Sequence, residues 1–425
     1  MKMRLLFLTA ETCPTFRADV AVLFGKYLPR LGVYSDIVAG RTPGHDDRVL
    51  WGGGEAHLYD VSCGRVKYHI KTLLYGIKIM FSANRVYYQA IQVRDMPLLA
   101  AIGMLVTWLK CMPFYYWMSY PMPEGQIESA RTRGLSAGIM KFIFPWVRGR
   151  VGCFLLYRII LPHAHHIFVQ SERMKLDIIE RGISAEKITP VPMGVDLEVM
   201  KLEDIPPSED PRLNGRRVIV YLGTLDPPRH IEVLFEMLAR VRQQIPEVML
   251  ILIGDTEDEL HRQWLKRQIV SSEVEGHVLW TGWLPIREGW RYVRAGEIGL
   301  SPFPRGFLLD SASPTKVPEY LVLGVPVVCN DNPDQEKLIR ESKAGLCVDY
   351  TPSTFAEAVL QIFEYSPRER LLMASSGLAI IRSHRSYDEI SMMVAQKYAQ
   401  GINRAAPRCA LRRIIADINN LITKK

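Results

Sequence analysis

The residues with the clearest chemical potential lie in the stretch LSPFPRGFLLDSASPTKVPEYLVLGVPVVCN, positions 300–330. Ser313, Pro314, Thr315 and Lys316 precede and open a helical pattern, and Glu319 stands one turn further along. Hydroxyls, an ammonium and the free N–H groups of a helix start are donors suited to a phosphate. The same residues also describe a solvated loop capped by Ser313, with Glu319 an exposed helix carboxylate.

The surrounding elements decide where these groups would stand. Residues 298–301 read as a strand end, followed by a loop with Pro302, Pro304 and Gly306, a helix over 315–323, a stop at Gly324 and a β-branched strand over 325–329. This is one α/β crossover with its loop at the carboxyl end of a strand, where ligands of open parallel sheets collect. The same alternation runs through the chain, predicting strands over 4–9, 34–39, 86–90, 114–118, 167–170, 218–222, 248–253 and 278–281 with helices between them, including one over 16–31. Gly52, Gly53 and Gly54 follow no clear strand and read as an excursion loop. Residues 125–163 carry helical patterning in which Arg131, Lys141, Arg148, Arg150 and Arg158 alternate with Phe142, Phe144, Trp146 and Phe154, and Pro145, Gly149 and Gly152 are expected to interrupt it. That pattern suits a helix at a lipid headgroup boundary and equally a helix packed on its own domain.

A chain of 425 residues accommodates two domains of ordinary size. Its formal charge of +8 is uneven: residues 1–200 hold 24 basic and 16 acidic side chains, and 403–425 hold 6 and 1. A basic first half suggests an anionic partner, an acidic membrane or a lipid diphosphate before nucleic acid. The seven cysteines are scattered with no apparent pairing or metal-ligand spacing, which fits a reducing cytoplasm and no structural metal. No apolar run is long enough to span a bilayer. A G-x-G-x-x-G dehydrogenase fingerprint is absent after both opening strands.

SPTKVPEYLVLGVPVV resembles the donor segment of retaining glycosyltransferases of family 4, in the subset with S-P-x-K before an E-Y helix. HIFVQSERMKLDIIERGISAEKITPVPMGVD is similar to the strand, serine, helix and P-x-G-V-D run that precedes the interdomain linker in that family. IQVRDMPLLAAIG resembles a first-domain segment of some members. The resemblance implies a GT-B fold: two Rossmann-like doubly wound α/β domains facing a central cleft, with a C-terminal helix crossing back to the first domain. The corresponding ranges are 1–200 for the acceptor domain, 201–215 for the linker, 216–385 for the nucleotide-sugar domain, 386–402 for the crossover helix and 403–425 for a basic tail.

The implied activity is transfer of a sugar from a nucleotide diphosphate sugar to an acceptor hydroxyl, with a lipid-linked saccharide in glycan or polysaccharide assembly as the expected acceptor. No metal and no cofactor beyond the donor substrate is expected. The anticipated place is the cytoplasm, with peripheral attachment to the inner face of the membrane as an open alternative. By the resemblance Glu319 meets the donor ribose, and Ser311 stands where relatives carry a second glutamate toward the sugar. Thr224 and His230 occupy the positions of the usual Arg and Lys on the diphosphate, so Arg229 and Lys316 are their expected replacements, beside Gly223. Trp283 and Leu284 fall where relatives hold the base, and Ser313 and Thr315 complete the donor set. In the first domain Arg17, Arg94, Asp95 and Ser119 are acceptor-side candidates, and Tyr120 and Glu124 stand near the expected reacting carbon. Arg94 and Asp95 could instead simply pair with each other. The alternatives are another GT-B enzyme, a nucleotide-sugar epimerase or phosphorylase, and a non-catalytic sugar-nucleotide or membrane-binding module.

Overall fold

The structure is a computed structural model that describes residues 2–42, 51–60, 65–134 and 138–405. Its contacts divide the chain into two units, one of residues 1–192 with 390 onward, the other of residues 193–389. Each is a wholly parallel sheet between helices.

The first unit has seven strands: β1 (Met3–Cys13), β2 (Val33–Arg41), β3 (Ala56–Tyr59), β4 (Ala90–Arg94), β5 (Phe114–Met118), β6 (His166–Val169) and β7 (Ile188–Pro190), in the order β3-β2-β1-β4-β5-β6-β7. Leu5 to Leu8 of β1 and all of β4 and β5 are buried, the continuous apolar reading that a sheet covered on both faces requires. Ser171 caps the helix Glu172–Glu180 by accepting from Met174 N at 3.1 Å, a contact of about 1 kcal/mol. The last helix, Tyr387–Ala405, belongs to this unit from Ile390 onward. Its Tyr398 is wholly buried and donates to the Gln92 carbonyl, while its main chain accepts from the Tyr115 hydroxyl at 3.3 Å.

The second unit has six strands: β8 (Arg217–Leu222), β9 (Val248–Ile253), β10 (Val278–Gly282), β11 (Ile298–Ser301), β12 (Val327–Asn330) and β13 (Gly345–Val348), ordered β10-β9-β8-β11-β12-β13. In both sheets the strand order reverses direction once, between β1 and β4 and between β8 and β11. The carboxyl ends of those strand pairs open a crevice at each switch point.

Several expectations need correction. The strand placed over 86–90 lies four residues later: residues 86–89 form a turn with Val86 exposed, and the buried run 90–94 pairs with β1 and β5. β-branched and aromatic letters mark either element, and only burial separates them. The glycine run 52–54 leads into β3, a strand that was missed, and Gly53 O accepts from Ser35 N at 2.7 Å. The helix expected from 16 starts at Asp19 with π-type turns to Tyr27, leaving Phe16 fully exposed. Pro145 and the two glycines do not interrupt the basic aromatic segment, which is one helix over Ile139–Phe154. A Cβ at 149 would stand 2.6 Å from Ile127 Cγ1 and one at 152 would stand 3.1 Å from Pro123 Cβ. The glycines thus let this helix seat closely on its neighbour Met122–Arg133, and that packing outweighs the proline, whose cost in a helix interior is about 3 kcal/mol. Cys111 is disulfide-bonded, against the expectation of no pairing, because pairing follows spatial approach rather than spacing. The basic tail lies outside the described residues beyond 405.

Candidate functional site

In the second unit β8 ends at Leu222, and Gly223 follows at φ +139°. Gly254 passes so close that a Cβ there would stand 2.2 Å from Gly223 O. On the other side a Cβ at 223 would stand 2.8 Å from Lys316 Cε and 3.3 Å from its Nζ. Glycine is therefore favoured at 223 by its backbone angle, and the lysine laid across it leaves little room for a side chain.

Lys316 opens the helix Lys316–Val322 and is buried. Its ammonium lies 5.0 Å from the Tyr221 ring centre and 5.9 Å from that of Phe303. The Arg229 guanidinium lies 4.7 Å from the Phe303 ring centre, with a buried Nη1 that has no hydrogen-bond partner. Neither cation forms an ion pair among the described residues. Burial, then the neighbouring Arg229 charge, pushes the Lys316 ammonium down to about 7, with Glu319 acting in the other direction. The aromatic faces repay part of the desolvation through their quadrupoles. Two cations gathered on aromatic faces, neither with an ion-pair partner among the described residues, suit an anion with more than one negative oxygen.

The supports are specific. Tyr350 donates to Arg229 O at 3.2 Å and His230 O at 2.7 Å, fixing the turn Pro227–Arg229. Asn330 accepts from Phe303 N at 2.7 Å and donates to Phe303 O at 2.9 Å, setting the loop that carries the ring. Tyr320 bridges the strand ends, accepting from Leu222 N at 2.7 Å and donating to Leu300 O at 3.2 Å. Glu319 Oε2 accepts from Trp290 Nε1 at 3.2 Å, and burial raises its carboxyl above the ordinary range.

Other donor-set candidates fall in different places. Thr224 O accepts from the Tyr221 hydroxyl at 2.9 Å, keeping it at the strand end beside Gly223. His230 is exposed and faces Glu232 at 3.1 Å. Ser311 is buried and donates to Phe307 O at 3.0 Å. Ser313 contacts Met193 N, Asp334 Oδ2 and Arg385 Nη1 at 2.8–3.0 Å, in a network centred on the Arg385–Asp334 pair. Thr315 stands just before the helix, its carbonyl accepting from Glu319 N at 3.1 Å. Trp283 is 56% exposed in the loop after β10, so it is not a core residue, whereas Leu284 packs against the core. Phe303, Tyr221 and Trp290 were missed. Phe303 had a signal, an aromatic ring between two prolines at a strand end.

The first unit gathers its candidates at the other switch point. Arg94 is buried and donates to Asp19 Oδ2 at 2.9 and 3.2 Å and to Glu11 Oε1 at 2.9 Å, with Asp95 Oδ2 at 3.5 Å. Its principal partner is therefore Asp19, not the adjacent Asp95. Arg17 reaches Glu11 at 3.4 Å from the solvent side. Asp95, at φ 56°, accepts from Ser119 N at 2.8 Å, from Ser119 Oγ and from Tyr120 N at 3.4 Å, fastening the turn after β5. Burial pushes its carboxyl up, opposed by Arg94 and Ser119. The Tyr120 ring lies against Gly125, and Glu124 accepts from the Tyr157 hydroxyl at 2.6 Å and pairs with Arg181 at 3.2 Å, leaving Oε2 buried and unpartnered.

Asp36, Glu55 and His57 are close enough to share an ion. Asp36 Oδ1 already accepts from Arg4 Nη1 at 2.7 Å and Glu55 N at 2.8 Å, and Oδ2 from the Tyr88 hydroxyl at 2.9 Å. An arginine-neutralised carboxylate explains this group without a metal.

Residues 216–365, which hold all six strands of the second unit's sheet, match a family model described as Glycosyl transferases group 1. Over 228 residues the chain is 23% identical to YtcC of Bacillus subtilis, a protein whose own assignment as a glycosyltransferase is provisional; the match covers 48% of this chain and 53% of that one. The chain thus spans about half the length of this curated relative. Among solved structures, Anabaena Alr3699/HepE in complex with UDP superposes with a TM-score of 0.65 at 16% identity, covering 94% of this chain and all of that one. The sucrose-phosphate synthase of Thermosynechococcus elongatus gives 0.68 at 16% identity, covering 94% and 99%. A glycosyltransferase of Rickettsia africae gives 0.67 at 13%, covering 96% and 99%. These likenesses concern the fold, and with the two parallel sheets they show the chain to have the GT-B fold, its second unit carrying the glycosyltransferase group 1 match.

Proposed function

We propose that the chain is a glycosyltransferase that takes a sugar from a nucleotide diphosphate sugar and places it on an acceptor hydroxyl with retention of configuration. The observation that carries this reading is the pair Lys316 and Arg229, two cations without an ion-pair partner among the described residues, both near the Phe303 ring at the β8/β11 switch point. The family match over 216–365 contains both. UDP is the first donor nucleotide to test, since HepE, similar in fold, was solved with UDP and with UDP-glucose.

In this reading the bond between the anomeric carbon and the diphosphate oxygen breaks as the bond to the acceptor oxygen forms on the same face. The acceptor proton passes to the leaving diphosphate, whose charge Lys316 and Arg229 neutralise without a metal. Glu319 accepts from the ribose and Trp283 stacks on the base. A lipid-linked saccharide is the proposed acceptor, from the basic first half of the chain, and polysaccharide or glycan assembly the proposed context. The cytoplasmic side of a membrane is the proposed place. Among the described residues no helix is long and apolar enough to cross a membrane, and the Cys111 disulfide is the feature that runs against a reducing compartment.

A non-catalytic donor-binding module is the second reading, favoured by the buried Ser311 hydroxyl, which is turned onto a backbone carbonyl where a sugar contact is expected. Turnover separates the two. UDP released from UDP-glucose or another UDP-sugar with a lipid-linked saccharide present, in EDTA, supports transfer. UDP binding with no release under any acceptor contradicts it.

A further inference from the structure

The helix Ile139–Phe154 in the first unit has its apolar side on the outside. Toward its neighbour it offers glycine, with Gly149 and Gly152 buried against Pro123 and Ile127. Outward it offers two rows of exposed apolar side chains, Ile139, Ile143, Val147 and Phe154 on one line and Met140, Phe144 and Val151 on the next. Met140 is 70% exposed, Phe144 64% and Phe154 60%. At about 100° per residue the seven positions fall within roughly 140° of arc. Exposed Lys141 and Arg148 border that arc on one side. Arg150, also exposed, falls about 20° inside the other edge of the arc, its guanidinium 5.4 Å from the Trp146 ring centre. Residues 138–163 hold four Lys or Arg and no Asp or Glu.

Scattered apolar residues on a surface need no partner, but a continuous face of this size does. The charges of a protein-facing rim are mixed in sign, whereas here every charged side chain of the segment is positive. A headgroup boundary asks for this combination, an apolar stripe sinking among the first acyl carbons and cations bordering it at the phosphates. Among the described residues no helix is long and apolar enough to cross a membrane, so this one would lie in the plane rather than across it. We propose that the outward face of Ile139–Phe154 docks on an anionic phospholipid bilayer, with Phe144 and Phe154 among the acyl chains and Lys141 and Arg148 on lipid phosphates. The inference deepens the lipid-linked acceptor reading and locates its membrane contact, while its observations are independent of the donor site.

Flotation of the full chain with vesicles tests it, using phosphatidylcholine alone and mixed with an equal part of phosphatidylglycerol. The wild type should float with the mixed vesicles at low salt and less at high salt. The double variant Phe144→Ser with Phe154→Ser should partition about tenfold less or lower. Lys141→Glu with Arg148→Glu should lose the preference for phosphatidylglycerol. UDP binding should stay unchanged in both variants, which separates failure of the docking face from misfolding or failure of the donor reading. No flotation of the wild type, or flotation untouched by either double variant, would overturn the proposal. So would a lipid-free dimer that the Phe144 and Phe154 substitutions dissolve, since the face would then belong to a second copy.

Discussion

The two units place cations at equivalent points of equivalent sheets and treat them oppositely. At the β1/β4 crevice Arg94 is enclosed by Asp19, Glu11 and Asp95, every contact within 3.5 Å. At the β8/β11 crevice Lys316 and Arg229 have aromatic faces and each other, with Glu319 the nearby carboxylate acting on the lysine. A cation enclosed by carboxylates has already met its anion and holds the fold. One left beside a like charge is held at a cost that a bound anion would remove. The difference supports the proposal of the second crevice as the donor site, with the Arg94 cluster holding the fold.

The largest effect should come from breaking the satisfied cluster. Arg94→Met strands the buried carboxylate of Asp19 and the neighbouring Asp95 and Glu11, and should destabilise the protein by about 3–5 kcal/mol in a denaturant titration. Lys316→Met, an equally buried change, should leave the midpoint the same or higher, because the cation removed has no ion-pair partner. Similar losses in both variants would erase the contrast between the crevices.

The next effect is a pH dependence. Unbound Lys316 is half-charged near pH 7, whereas a bound diphosphate requires the ammonium. Binding must then take up a proton above pH 7, so UDP-glucose affinity is full below about 7 and falls as pH rises, by up to about tenfold per unit. In Lys316→Met that slope should vanish. A flat wild-type profile between pH 7 and 9 would remove Lys316 from the diphosphate. Smallest is Glu319→Gln. The amide oxygen can still accept from Trp290, so the fold should hold while nucleotide affinity drops by about 1 kcal/mol through the weaker ribose contact. Unchanged affinity in calorimetry would detach this helix from the ribose.

Much of this arrangement was legible in the sequence, and the reasons differ by region. Strands β8, β9, β11 and β12 are short, largely buried apolar runs, a pattern that fixes them without tertiary knowledge. Lys316 and Arg229 came from their places at strand ends. What joins them, the Phe303 ring and the gap over Gly223, depends on side-chain approach that spacing does not encode. Around Val86 the letters were right for a strand and the register wrong, since the turn 86–89 is as β-branched and aromatic as β4 itself. Pro145 misled for another reason. Propensity speaks for an isolated helix, and here Gly149 and Gly152 let packing decide. The Arg94–Asp95 pairing was the simplest reading of adjacent letters, yet Asp19, distant in sequence, supplies the shorter bonds.

The most direct test of the central claim is calorimetric titration of UDP into the wild type, Lys316→Met and Arg229→Met at pH 7. The account predicts binding by the wild type and a loss of about 2 kcal/mol or more in each variant, with unfolding midpoints no lower than the wild type for Lys316→Met. Equal affinity in all three proteins, or no affinity of the wild type for UDP, GDP or ADP, would contradict it.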